Sequence, residues 1–103
     1  MTLSSKERAE LRAEAHHLTP LVHVGHQGLT DPLFQTLDDA LRTRELVKVA
    51  LAKTTDLSAK AAAGQLAEKM GAEVVQTIGR TVTLFRENPD IKRKKGDVPP
   101  WRG

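Results

Sequence analysis

The sequence predicts an α+β domain in two layers, ordered α-β-α-β-α-β-β around a mixed four-stranded sheet. Three observations lead there. Segments with apolar residues at helical spacing alternate with short runs rich in Val, Ile and Thr, up to residue 86. Proline and glycine fall at the joints, as Pro20, Gly25, Gly28, Pro32, Gly71 and Gly79. Two extended runs also flank the dipeptide Gly79-Arg80, which marks a hairpin. A chain of 103 residues has room for one core.

Ser4 and Glu7 have the spacing of a capping box, in which each side chain satisfies an orphan N–H at a helix start. Good helix formers follow from Ser5 to about His17, with Leu11, Ala15 and Leu18 as the buried stripe. Pro20 stops that helix, and Leu21 to Val24 reads as a short strand. Gly25-His26-Gln27-Gly28 breaks the strand. Thr30 or Asp31 then caps a second helix, and Pro32 fits its first turn, where a missing N–H costs little. Leu33, Phe34, Leu37, Ala40 and Leu41 share one face of it to about Thr43.

Leu46 to Ala52 forms the second strand. Val47, Val49 and Leu51 alternate with Lys48 and Ala50, so one face is expected to be more covered than the other. Ser58 opens a third helix to Met70, and Gly71 sits where a left-handed residue ends it. Glu73 to Ile78 and Thr81 to Arg86 make the hairpin. Right-handed crossovers put the second and third helices together on one sheet face and leave the first helix to pack at an edge. Residues 87–103 turn polar, with a mostly disordered tail expected there.

Sixteen Lys and Arg against thirteen Asp and Glu give a net charge of +3. Residues 1–86 carry eleven basic and ten acidic side chains; residues 87–103 carry five and three, with Lys92, Arg93, Lys94 and Lys95 adjacent. A polyanionic partner fits this distribution. The absence of cysteine removes disulfides, thiolate nucleophiles and Cys-ligated zinc. No apolar run nears the roughly 20 residues that cross a bilayer, and the charged N-terminus lacks a signal sequence. A cytoplasmic monomer without membrane contact is the expectation. Phe34, Phe85 and Trp101 are the only aromatic residues, too few for a sheet of base-stacking rings.

The strand–Gly-x-x-Gly–helix junction carries the most chemistry. Glycines permit close approach of a ligand, and a helix start offers unpaired N–H groups to a phosphate. A tight strand-to-helix turn accounts for the same four residues. The loop lacks the Gly-Lys-Ser/Thr of a Walker loop and the third glycine of a dinucleotide fingerprint. His16, His17, His23 and His26 do not have the spacing of a metal site, so no metal and no cofactor are expected. His26 and Gln27, inside the loop, are placed to touch a phosphate. Asp38 and Asp39 are helical neighbours whose side chains diverge by about 100°, so they cannot act as an acid–base pair. No serine has a supporting base, and catalysis is not expected. Arg8 and Arg12 stack at i, i+4 among Glu7, Glu10 and Glu14, which fits either a solvated ion-paired helix or a basic surface. Lys48, Arg80 and Arg86 add cations on or beside the strands. The run Lys92 to Lys95 attracts phosphate without specificity, and Trp101 has a ring that can stack on a base.

Taken in order, these residues resemble the CRM (chloroplast RNA splicing and ribosome maturation) domain, in its single-domain bacterial YhbY-type form. Ala15-His16, Leu18, Pro20, Val22, Val24, Gly25-x-x-Gly28-Leu29-Thr30 and Ala40-Leu41 are similar to its first half. Glu45 to Val49, Gly71-Ala72, Val75-Gln76, Ile78-Gly79 and Leu84-Phe85-Arg86 are similar to its second half. The match runs from about residue 3 to residue 86. It implies an RNA-binding domain over residues 1–86, similar in fold to the C-terminal domain of translation initiation factor three. Bacterial members are associated with precursors of the large ribosomal subunit, and plant relatives with group II intron splicing. By position, Gly25, His26, Gln27 and Gly28 become the RNA-contacting loop, extended by Arg8, Arg12, Lys48, Arg80 and Arg86. The loop lacks the lysine seen in many such domains, and Phe85 stands where tyrosine is frequent. The leading expectation is therefore a non-enzymatic factor that binds large-subunit ribosomal RNA during assembly. A module that docks on ribosomal proteins and touches RNA incidentally is the alternative.

Overall fold

The capping signals do what their spacing predicts. In a computed structural model describing residues 4–88, the elements are α1 (Ser5–Ala15), β1 (Val22–Val24), α2 (Asp31–Arg44), β2 (Leu46–Leu51), α3 (Ala59–Met70), β3 (Glu73–Ile78) and β4 (Thr81–Phe85). Ser4 and Glu7 complete the reciprocal capping box of α1. Thr30 caps α2 by accepting from the Leu33 amide, and Ser58 caps α3 by accepting from Ala61. Gly71 closes α3 in the left-handed conformation. The expected tail, with Lys92 to Lys95 and Trp101, lies outside the described residues.

The four strands form one mixed sheet in the order β1-β2-β4-β3. β1 and β2 are parallel, whereas β4 runs antiparallel to both β2 and β3. Val22 and Val24 of β1, Val47, Val49 and Leu51 of β2, and Val82 and Leu84 of β4 point to one face. There they meet Leu37 and Leu41 of α2 and Ala62, Ala63 and Leu66 of α3. Eleven of these twelve core residues are 3 % exposed or less, so this face carries most of the hydrophobic stabilisation.

The first helix is not at an edge. α1 crosses the opposite sheet face, touching β2 and β3, where Leu11 and Ala15 bury Leu46, Val75 and Phe85. The cause is a pocket of apolar residues that strand alternation places on the second face, enlarged by a register slip between Val74 and Gln76 that turns Val75 toward α1. Two layers therefore describe the α2–α3 side, and α1 adds a partial third. The rest of the second face, around Lys48, Gln76, Ile78, Thr81 and Thr83, is an open groove.

Because β1, β2 and β3 run the same way, their C-terminal ends share one end of the sheet. The glycine loop, the β2–α3 loop and the Gly79-Arg80 turn converge there. Hydrogen bonds lock them together: Ala52 N–H donates to Val24 O at 2.9 Å, and Leu51 N–H to Arg80 O at 2.7 Å. The Thr55 hydroxyl donates to Gly25 O at 2.8 Å. Both α2 and α3 begin at this end, the glycine pole. The opposite pole holds their C-termini.

Candidate functional site

The glycine loop is a hydrogen-bonded turn. Gly28 N–H donates to Gly25 O at 3.0 Å, and His26 and Gln27 stand exposed between them. Gly25 O thus accepts from two donors, one of them the buried Thr55, so the loop is braced from below. The two glycines are present for different reasons. Gly28 has φ +75°, a conformation that side chains rarely adopt, so the turn itself demands it. Gly25 has no positive φ, and a Cβ built there would meet nothing within 4 Å. The fold does not require glycine at position 25. Beyond the turn, Thr30 opens α2 and the groove beside the loop is lined by His23, the loop itself, Thr30 and Leu33. Among the described residues, the backbone N–H groups of His26, Gln27 and Leu29 have no acceptor. Free amides beside a helix start suit an anion.

The structure separates the cations that sequence brings forward. Arg80 is at the glycine pole, exposed, with one hydrogen bond to Ala52 O at 3.2 Å. Arg8 is on α1, where it donates to Val74 O and lies 3.8 Å from the Glu73 carboxylate. Arg86 is at the far pole, half-buried; it donates to Met70 O at 2.9 Å and to Asp38 O at 3.2 Å, and pairs with the Asp38 carboxylate at 2.9 Å. Lys48 lies on the open sheet face and donates to Ala15 O at 3.0 Å and Leu18 O at 3.2 Å, tying down the end of α1. Arg12 is half-exposed on α1 and has no polar partner among the described residues. Arg8 and Arg86 lie toward the pole away from the loop, so the fold does not gather these side chains at the loop itself.

Two cations escaped the sequence reading. Lys53 lies in the β2–α3 loop between Ala52 and Thr55, the residues bonded to β1 and the glycine loop, and Lys60 lies in the first turn of α3. Both are exposed at the glycine pole. The signal was available: loops after parallel strands gather at one end of a sheet. Arg42 is exposed, and its pKa is raised by the hydrogen bond it donates to Asp39, then by the charges of Asp39 and Asp38. It belongs to the surface of α2 away from the loop. No group of three or more His, Asp or Glu among the described residues could hold a metal, and no described helix is long and apolar enough to cross a membrane.

Fold and site together define a class: a small α+β domain that presents a braced, glycine-flanked loop and several cations at the pole where two helices begin. The sequence matches the CRS1 / YhbY (CRM) domain model over residues 3–86, and the chain belongs to that family. It is 35 % identical over 91 residues to "Probable RNA-binding protein YqeI" of Bacillus subtilis, covering 88 % of this chain and 95 % of that one. A protein of Haemophilus influenzae named "RNA-binding protein" is 34 % identical over 91 residues, covering 88 % and 92 %. The solution structure of the hypothetical protein SAV1595 from Staphylococcus aureus superposes with a TM-score of 0.75 at 32 % identity, covering 88 % of this chain and 95 % of that one.

Proposed function

We propose that this protein acts by binding RNA, without catalysis, and that its target is large-subunit ribosomal RNA or a precursor during ribosome assembly. Gly25 carries the argument. The fold explains Gly28 and leaves Gly25 unexplained, whereas a phosphate backbone pressed against the loop would need both positions bare. The free amides of His26, Gln27 and Leu29 then meet phosphate oxygens, and the α2 N-terminus adds a favourable dipole. Lys53, Lys60 and Arg80 supply charge along the same pole. Family membership and the names of the relatives support RNA as the ligand. The ribosomal destination and action as a cytoplasmic monomer rest on the family resemblance. The tail run Lys92 to Lys95 adds non-specific attraction.

Crosslinking the protein to RNA in growing cells and sequencing the attached RNA tests this reading. A focused peak in large-subunit ribosomal RNA, lost on Gly25→Asp substitution, is the expected result. Diffuse signal, with ribosomal proteins still bound after nuclease treatment, would replace it with a module that docks on ribosomal proteins.

A further inference from the structure

The second sheet face is left half bare, and its bare half opens on the glycine pole. One row of residues crosses all four strands in register: His23 pairs with Ala50, Ala50 with Thr81, and Thr81 with Ile78. This row ends one residue short of the glycine loop on β1 and directly against the Gly79-Arg80 turn on β3. Its middle is small, and its flank is apolar, with Ile78 58 % exposed. A second row, Lys48–Thr83–Gln76, lies behind it. His16, Lys48, Gln76, Ile78, Thr81 and Thr83 wall a groove that no carboxylate lines. Among the described residues, no element covers it.

Lys48 gives the groove a fixed positive charge. Its ammonium has three N–H groups; two are held by Ala15 O and Leu18 O, and the third has no acceptor among the described residues. The charge is therefore positioned before any ligand arrives. Single-stranded RNA presents what this groove lacks, negative phosphates and flat apolar bases with polar edges. The chain's own tail, with five basic and two acidic residues after Asn88, carries the same sign as the groove and does not complement its charge.

We infer that this open face receives the bases of the RNA strand whose backbone the glycine loop holds, so that the site reads unpaired RNA; this rests on the RNA-binding reading above. The loop grips phosphates at the edge of the sheet. The strand then runs over Ala50 and Thr81, with bases against Ile78 and polar edges toward Gln76 and Lys48.

The test is an NMR titration of the full chain, following methyl and amide signals, with a uridine octamer and with an octamer of equal length lacking bases. The Ile78 and Ala50 methyl signals are expected to move with the uridine octamer only, while the Gly25 to Gly28 amides move with both. Ile78→Ser, at an exposed position that tolerates a polar side chain, is expected to weaken the uridine octamer by about tenfold and to leave the baseless octamer unchanged. Moving loop amides with still Ile78 and Ala50 methyls overturns this inference and leaves the loop reading standing. Still signals at both places, with both octamers, overturn the RNA reading itself. Ile78 signals that shift on dilution alone would assign the face to a second copy of the chain, which also overturns the inference.

Discussion

At the far pole, polar side chains answer the fold's own needs. α2 and α3 end there with carbonyls that no helical N–H can reach. Arg86 donates to Met70 O at the end of α3 and Asn88 donates through its side chain to Arg42 O in the last turn of α2 at 2.7 Å; Arg86 also reaches Asp38 O in the body of α2, and the buried Glu45 carboxylate accepts the Asn88 amide at 2.8 Å. At the glycine pole the pattern reverses. Loop amides are left free, Lys53 and Lys60 stand in solvent, and the braces from Thr55 and Ala52 hold the loop without using its exposed surface. The two poles differ little in residue type. What distinguishes them is whether a polar group already has a partner.

That contrast can be broken by variants whose effects should fall on stability at one pole and on binding at the other. Glu45 should show the largest change. It is fully buried and has φ +65°, so Glu45→Ala removes the acceptor of Asn88 N–H while keeping the strained backbone. A loss of about 3 kcal/mol in urea unfolding is expected. Glu45→Gly should recover about 1 kcal/mol of it by relieving the positive φ. Next comes Arg86→Ala, which strips the end of α3 and both the carbonyl and the carboxylate of Asp38 of a half-buried partner. About 2 kcal/mol of stability should go, read as a lower urea midpoint with an unchanged slope, and RNA affinity of the folded fraction should not change.

Smaller effects are expected at the glycine pole, and they should appear in binding. Gly25→Asp meets neither a clash nor a left-handed backbone, so its melting temperature should match the parent while RNA affinity falls about tenfold. Gly28→Asp is a poorer probe, because φ +75° mixes strain with charge. Lys53→Ala should weaken RNA about threefold and reduce the slope of log K against log salt by about one, as expected for one phosphate contact.

Much of the fold was legible because its signals are local. Ser4 with Glu7, Thr30 with Leu33 and Ser58 with Ala61 are contacts three residues apart, which spacing alone reveals. The alternation of Val47, Val49 and Leu51 with Lys48 and Ala50 likewise announced a sheet with unequal faces. What sequence missed depends on distant partners. α1 lies across the sheet because Val75 is turned by a bulge that no local pattern marks. The fates of Arg8, Lys48 and Arg86 were illegible for the same reason: their acceptors lie 66, 33 and 48 residues away in the chain at the widest. A cation's charge is written in the sequence, whereas its hydrogen-bond partner is set by topology. Glu45 shows the limit most plainly, since nothing beside it announces a buried carboxylate on a left-handed backbone. The glycine loop could be found at once, yet the distinction between its glycines needed the φ angles.

The central claim is that RNA binds at the glycine pole and that the far pole serves the fold. Measuring RNA affinity and melting temperature together for Gly25→Asp and Arg86→Ala tests it most directly, with a large-subunit ribosomal RNA fragment as ligand. The account predicts a crossed result: Gly25→Asp melts like the parent and binds about tenfold more weakly, and Arg86→Ala melts lower and binds like the parent. Undiminished affinity in a folded Gly25→Asp protein, or lost affinity in a folded Arg86→Ala protein, would contradict it.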